Sequence, residues 1–104
     1  MIRNAFTMKL KPGMAETYRK RHDAIWPELK AELSKAGIRD YSIFLDERTG
    51  VLFAVQKLEA DHQAEALPDN PVVRKWWAFM ADLMETHPDD EPVSFPLREM
   101  FHMD

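Results

Sequence analysis

The spacing of apolar residues changes from strand-like to helical at Pro12-Gly13, and this change constrains the fold more than any other feature. Over residues 2–10, apolar side chains recur at every second position except Asn4, which predicts a strand. From Met14 onward they recur at helical spacing and fall within about 120° of arc. This helical stripe consists of Met14, Tyr18, His22, Ile25, Trp26, Leu29 and Leu33.

Two residues predict where this first helix is interrupted and where it ends. Pro27 lacks an amide proton and crowds the carbonyl of Asp23, so the helix is expected to kink or restart there. Gly37 follows Ala36 and suits the left-handed backbone conformation that commonly ends a helix.

The remainder of the chain repeats the pattern of strands and helices. Residues 41–45 and 51–58 predict an antiparallel hairpin, whose loop over residues 46–50 contains a glycine. A short helical piece is expected over residues 61–67, stopping at Pro68. Asn70 and Pro71 then predict an N-cap and a first-turn proline for a helix over residues 72–85. Residues 97–103 predict a last strand.

The resulting order is βαββαβ in a chain of 104 residues, without a composition break or an internal repeat. We therefore expect a single domain spanning residues 1–104, of the α+β class, with ferredoxin-like connections and helices on one face of a four-stranded sheet. The strand over residues 51–58 is apolar on both sides, since Phe53 and Val55 alternate with Leu52 and Ala54. Because helices cover only one face of the sheet, we expect the other apolar face to pack against a second copy of the sheet, which predicts a homodimer.

Composition argues against several classes of protein. The chain has no cysteine, which removes disulfides, thiolate nucleophiles and thiolate zinc sites. Its net charge of −4 and the lack of a Lys/Arg block argue against binding of nucleic acid. No apolar run approaches 18 residues, so no association with a membrane is expected. The first residues lack the features of an export signal, and a cytoplasmic location is the expectation.

Polar side chains interrupt the apolar stripe of the first helix. Tyr18 and His22 lie one turn apart on its inward face, and Tyr41 shares a face with Ile43 and Leu45 on the second strand. An imidazole is the side chain best suited to exchange protons near neutral pH. The alternative interpretation is that these groups only form hydrogen bonds within a core.

Trp76 and Trp77 are adjacent on the predicted helix over residues 72–85 and therefore point about 100° apart. We expect Trp77 in the core stripe with Val73 and Met80, and Trp76 on a flank. Tryptophans are common in cores and interfaces as well as in binding sites, so a purely structural role is an equally weighted alternative.

One histidine, two tyrosines and a tryptophan pair together have the makeup of a carbohydrate pocket. Flat aromatic rings contact the apolar face of a pyranose, and polar groups contact its hydroxyls. The sequence contains no phosphate-binding glycine loop, serine-hydrolase elbow or helical zinc motif. The other histidines show no metal-ligand spacing, so no metal site is expected.

Three blocks of sequence resemble the L-rhamnose mutarotase family, and the similarity extends over essentially the whole chain. They are R-H-x-x-I-W-P-E-L over residues 21–29, the segment 41–46, and Trp76-Trp77 with the residues that follow. The first and last of these together are specific. Two positions depart from the family pattern, since Lys75 replaces an arginine and Phe79 replaces a tyrosine.

The resemblance implies a dimeric α/β barrel enzyme that interconverts the α and β anomers of L-rhamnopyranose without a cofactor. It also implies that His22 is the proton donor and that Tyr18, Tyr41, Trp76 and Trp77 bind the sugar. Under this hypothesis His22 protonates the ring oxygen, while Tyr18, Tyr41 or a bound water handles the anomeric hydroxyl. The same barrel architecture also serves sugar-sensing modules, which bind without catalysis, and small monooxygenases.

Overall fold

Four strands form one antiparallel sheet in the order β2-β3-β1-β4. The structure is a computed structural model, and it describes all residues 1–104. The strands are β1 (Ile2–Lys9), β2 (Ile38–Asp46), β3 (Val51–Leu58) and β4 (Phe95–Pro96). The helices are α1 (Ala15–Asp23), α2 (Pro27–Lys35) and α3 (Pro71–Met80), with 3-10 segments over Ala64–Asp69 and Ala81–Leu83. This order and pairing confirm the ferredoxin-like βαββαβ prediction.

The first predicted helix restarts at the proline instead of bending. Asp23 ends α1, three residues without helical structure follow, and Pro27 occupies the first turn of α2, where its missing amide proton costs nothing. Gly37 follows α2 with a φ of +88°, as expected for a residue that ends a helix. The two helices therefore form separate elements that share one apolar stripe.

The helix-facing side of the sheet carries the core. Met8 on β1 pairs with Leu52 on β3, and Ala54 lies in the same row, each at most 8% exposed. Tyr18 and Leu29 supply the buried positions of α1 and α2. The predicted stripe of the first helix is therefore confirmed as the face that packs on the sheet.

The opposite side of the sheet is apolar but uncovered in a single chain. Phe44 on β2 pairs with Phe53 on β3, and they are 63% and 36% exposed. Val55 and Phe95 add further exposed apolar area at 43% and 64%. We call Phe44, Phe53, Val55 and Phe95 the outer sheet patch.

The second half of the chain differs from prediction in three places. The helix predicted to reach residue 85 ends at Met80, because the chain straightens after Leu83 so that Met84 can pair with Leu10. The 3-10 segment over Ala64–Asp69 contains Pro68 instead of stopping before it.

The last strand was predicted over residues 97–103, but β4 comprises only Phe95–Pro96. The last backbone hydrogen bond to β1 is that from the amide of Leu97 to the carbonyl of Ala5, and residues 97–104 form no strand. None of the helices has both the length and the apolar character needed to cross a membrane.

Candidate active site

A cleft of about 1110 Å³ lies between the helix-facing side of the sheet and the helices. All five residues singled out by the sequence line it: Tyr18, His22, Tyr41, Trp76 and Trp77. They come from α1, β2 and α3, so the fold brings three separate elements to one place. The cleft is therefore the candidate active site.

His22 is oriented by the helix that carries it. Its ring stacks on that of Tyr18, with centroids 4.3 Å apart, and its Nδ1 lies 3.0 Å from the Tyr18 carbonyl oxygen. Because a carbonyl can only accept, Nδ1 carries the proton in this contact, and Nε2 is the nitrogen left for exchange with a ligand.

The surroundings of His22 favour its neutral form. Desolvation in the cleft lowers the pKa of His22, and this effect outweighs the opposing influences of the Tyr18 carbonyl and the Asp23 carboxylate. The imidazolium is thus a minor species at neutral pH but a stronger acid than free histidine.

Both tyrosines of the cleft keep their hydroxyl protons. Desolvation, reinforced by nearby Tyr41, raises the pKa of Tyr18 above its usual value of 10.0. Desolvation raises the pKa of Tyr41 to about 12. Neither side chain is a phenolate at neutral pH, so both are suited to donate hydrogen bonds.

An irregularity in β2 places Tyr41 in the cleft. Arg39 pairs with Lys57 and Ser42 with Val55, so two residues of β2 lie opposite the single residue between those partners on β3. Asp40, one of the two, has a φ of +48°, which is uncommon outside glycine. The extra residue shifts the alternation of side chains, so that Ile38 and Tyr41 both face the helices.

Trp76 is more buried than the sequence predicts. It was expected on a flank, but only 7% of it is exposed, and Val73, Trp76, Met80 and Leu83 form the buried row of this segment. Its ring contacts His22 edge-on at 5.3 Å and Trp26 at 5.0 Å between centroids. Trp76 thus forms a wall of the cleft that fixes the position of the imidazole.

Trp77, expected in the core stripe, is only partly buried. It packs against the edge of the core and lines the cleft, and the guanidinium of Arg74 lies 5.9 Å from its ring centroid. Of the two indoles, Trp77 therefore has more surface free to contact a ligand.

Arg21 joins α1 to the end of α3, a role that the sequence did not reveal. Its guanidinium donates to both carboxylate oxygens of Asp82, at 2.9 and 3.2 Å, and to the carbonyl of Phe79 at 2.6 Å. It also lies 4.5 Å from the centroid of the Phe79 ring. This clamp links the helix that carries His22 to the end of the helix that carries Trp76.

A second feature absent from the sequence-based prediction is an amide pair within the cleft. The side chain of Asn4 on β1 donates to that of Gln56 on β3 at 2.9 Å. Both residues line the cleft. The sequence does show a polar residue at an inward position of each strand. Solvated side chains near strand ends give the same pattern, so the pattern alone does not identify a buried pair.

The histidines outside the cleft do not assemble a metal site with the acidic residues. His62 packs beneath Gly37, and His87 and His102 lie in a loop and in the exposed C-terminal segment. No group of three or more histidine, aspartate or glutamate side chains is close enough to hold a metal ion.

Comparison with known proteins identifies relatives over the full length of the chain. A family described as L-rhamnose mutarotase matches residues 3–103. The L-rhamnose mutarotase of Jannaschia sp. (strain CCS1) is 59% identical over 103 residues, which cover 99% of each chain. The protein of the same name from Sinorhizobium fredii is 58% identical over 103 residues, again 99% of each chain.

A solved structure agrees with the fold as well as with the sequence. The crystal structure of an L-rhamnose mutarotase from Formosa agariphila superimposes with a TM-score of 0.93 at 50% identity, and all of both chains is covered. The likeness therefore extends over the backbone of every element that lines the cleft.

Proposed function

The chain belongs to the L-rhamnose mutarotase family, and we infer that it is an enzyme that interconverts the α and β anomers of L-rhamnopyranose in L-rhamnose metabolism. One observation carries the assignment of chemistry to the cleft. It is the imidazole of His22, whose Nδ1 is held by a carbonyl and whose Nε2 remains free beside aromatic rings.

Anomer exchange is a sequence of proton transfers. The ring opens when a proton reaches the ring oxygen and another leaves the anomeric hydroxyl, and it recloses on the other face after rotation about the C1–C2 bond. General acid/base catalysis of such a step supplies about 10²- to 10⁴-fold, or about 3 to 5 kcal/mol of barrier. A positioned proton donor is therefore the main chemical requirement of the site.

His22 is the proposed donor to the ring oxygen. Its Nδ1–H contact with the Tyr18 carbonyl is compatible with both protonation states, so the ring need not turn when Nε2 gives up its proton. The lowered pKa of His22 makes the imidazolium a readier donor and lets the neutral ring take the proton back on reclosure.

The raised pKa values of Tyr18 and Tyr41 support a role for both as hydrogen-bond donors and not as bases. A phenol that stays protonated is a poor base, so among the groups considered for the anomeric hydroxyl a bound water is favoured. Tyr18 and Tyr41 are proposed to bind sugar hydroxyls by donating hydrogen bonds.

Trp76 and Trp77 are proposed to bind the sugar as unequal partners. Trp77 has the freer indole and offers it to the apolar face of the pyranose. Trp76, buried between His22 and Trp26, borders the sugar with less of its surface. The methyl group of a 6-deoxy sugar adds apolar area worth on the order of 1 kcal/mol when buried.

We also propose that two chains pair through the outer sheet patch to form a dimeric α/β barrel. The exposed side chains of Phe44, Phe53, Val55 and Phe95 support this, because monomeric proteins seldom leave a contiguous apolar face of a sheet in water. Sedimentation equilibrium at micromolar concentration is expected to give a species of twice 12.2 kDa. Nucleic acid is not a proposed partner, and a cytoplasmic location remains part of the proposal.

Proton NMR exchange spectroscopy, which measures the rate of interconversion of the two anomers of L-rhamnose, tests the proposed site. The wild-type chain should accelerate exchange between the two anomeric signals, and His22→Gln should reduce the acceleration by about 10²-fold or more. His87→Gln is the matched control, because His87 is an exposed loop histidine. Wild-type rates in His22→Gln, or sugar binding by the wild-type chain without faster exchange, would contradict the proposal.

A further inference from the structure

The side chain of Gln56 is a buried polar group on an apolar face of the sheet. It is 5% exposed, in the same row as Leu52, Ala54 and Leu58. A row of this kind is stabilised by apolar side chains, and a carboxamide there requires hydrogen-bonding partners. A purely structural role would satisfy both ends of the amide within the protein.

Only one end of the Gln56 carboxamide is satisfied by the chain. Its Oε1 accepts from Nδ2 of Asn4 at 2.9 Å, and its Nε2 has no hydrogen-bond partner within the protein. Every side-chain nitrogen or oxygen that is fully buried has a hydrogen-bond partner in this structure. Because Nε2 of Gln56 has none, it is not fully buried and borders open space. Since Gln56 lines the cleft, the free N–H groups are available to a molecule bound there.

The position of Gln56 in the sheet brings it beside a proposed sugar-binding residue. It lies between Val55 and Lys57, whose partners on β2 are Ser42 and Arg39. The residues opposite Gln56 are therefore Asp40 and Tyr41, the two positions of the bulge. Tyr41 and Gln56 thus form neighbouring hydrogen-bond donors on the same side of the cleft.

We propose that Gln56 is a specificity-determining residue whose Nε2 donates a hydrogen bond to the 2-, 3- or 4-hydroxyl oxygen of the pyranose, and that Asn4 is a positioning residue. Asn4 occupies the acceptor end of the Gln56 carboxamide and so leaves the donor end toward the sugar. A hydrogen bond from a buried amide selects for a hydroxyl at that ring position, because loss of either partner leaves the other unpaired. This inference rests on the proposed function.

Kinetics with two variants and three deoxy sugars test the inference. Gln56→Met keeps the length of the side chain without its polar groups, and Gln56→Glu keeps the acceptor that Asn4 binds but has no N–H. For L-rhamnose, KM should rise about tenfold in each variant, with kcat changed less than threefold, as expected for one lost hydrogen bond. Gln63→Met is the matched control, because Gln63 is exposed and outside the cleft.

The 2-, 3- and 4-deoxy analogues of L-rhamnose identify the partner. For one of them, KM should be the same in the wild type and in Gln56→Met, because that sugar lacks the hydroxyl that Gln56 binds. For the other two, KM should rise as it does for L-rhamnose. Equal changes with all three analogues would indicate a structural role only, and an unchanged KM for L-rhamnose would also overturn the inference.

A measurement on the wild-type chain keeps the test independent of how the variants fold. The side-chain NH₂ signals of Gln56 in a ¹⁵N spectrum should shift when L-rhamnose is added, and shift much less with the one insensitive analogue. Their failure to shift with a saturating sugar overturns the inference. If the wild-type chain did not accelerate anomer exchange at all, the proposed function itself would fail, which is a separate outcome.

Discussion

Replacement of Trp76 by alanine should damage the fold, whereas replacement of Trp77 should mainly damage sugar binding. Trp76 is 7% exposed, and its ring has three aromatic neighbours with centroids between 5.0 and 5.7 Å away. Removal of a buried aromatic side chain typically costs about 3 to 5 kcal/mol, because apolar contacts are lost and a cavity remains. A domain of this size is stable by about 5 to 15 kcal/mol, so Trp76→Ala removes a large part of the total.

Trp77 provides the comparison within the same turn of helix. It is partly buried and has one cationic neighbour, so Trp77→Ala should cost about 1 to 2 kcal/mol of stability. The loss of its exposed ring should raise KM for L-rhamnose about tenfold, with a smaller effect on kcat. Trp76→Phe should recover much of the stability that Trp76→Ala loses, because a ring remains among its neighbours.

Urea unfolding followed by far-ultraviolet circular dichroism measures the two stabilities without relying on the fluorescence of the residue removed. With a slope of about 1 to 2 kcal/mol per molar urea, the midpoint of Trp76→Ala should fall by about 1.5 to 5 M. A loss below about 1 kcal/mol in Trp76→Ala, together with a larger loss in Trp77→Ala, would refute the assignment of Trp76 to the core.

Three further predictions concern protonation and local structure. As the pH falls from 8 to 6, kcat/KM should rise, because a larger fraction of His22 is protonated; a kcat/KM that falls instead would identify His22 as a base. The free energy of unfolding should decrease as the pH falls through 6.5, because the pKa of His22 is lowered in the folded chain and the unfolded chain therefore binds this proton more tightly. Asn70→Ala should cost about 1 kcal/mol in urea unfolding, since the side-chain Oδ1 of Asn70 accepts from the backbone amides of Val72 and Val73, and an unchanged midpoint would contradict the cap. Gly37→Ala should lower the melting temperature, because φ is +88° and a Cβ would lie 3.0 Å from His62. A higher melting temperature in this variant would contradict the prediction and show that the turn can relax.

The periodicity of the sequence predicts the order of elements because strands and helices bury residues at different intervals. The change at Pro12-Gly13, the restart at Pro27 and the cap at Asn70 all depend on local chemistry, and the structure confirms them. The end of α3 and the length of β4 depend instead on pairing with distant strands. Met84 leaves helical geometry to join Leu10, which no local signal at residues 81–85 indicates.

Contacts in the candidate site between side chains of one helix could be predicted from the sequence, whereas contacts between different helices and strands were harder to predict. Tyr18 and His22 lie one turn apart, and their contact follows from helical geometry alone. Trp76 and Trp77 lie on either side of the centre of the same face, so packing against α1 and α2 decides which one is buried. The clamp from Arg21 to Asp82 joins residues 61 positions apart, and a single sequence offers no sign of it.

The extra residue in the β2 bulge decides which side chains of this strand reach the cleft. Because side chains alternate along a strand, a shift of the pairing by one residue moves them to the opposite face of the sheet. If all of β2 paired regularly with β3, without the bulge, Phe44 would point toward the helices and Tyr41 toward the outer sheet patch. Deletion of Asp40 would instead leave Tyr41 opposite Gln56 in an unbroken ladder, so this strand can lose that one residue without an exchange of its two faces.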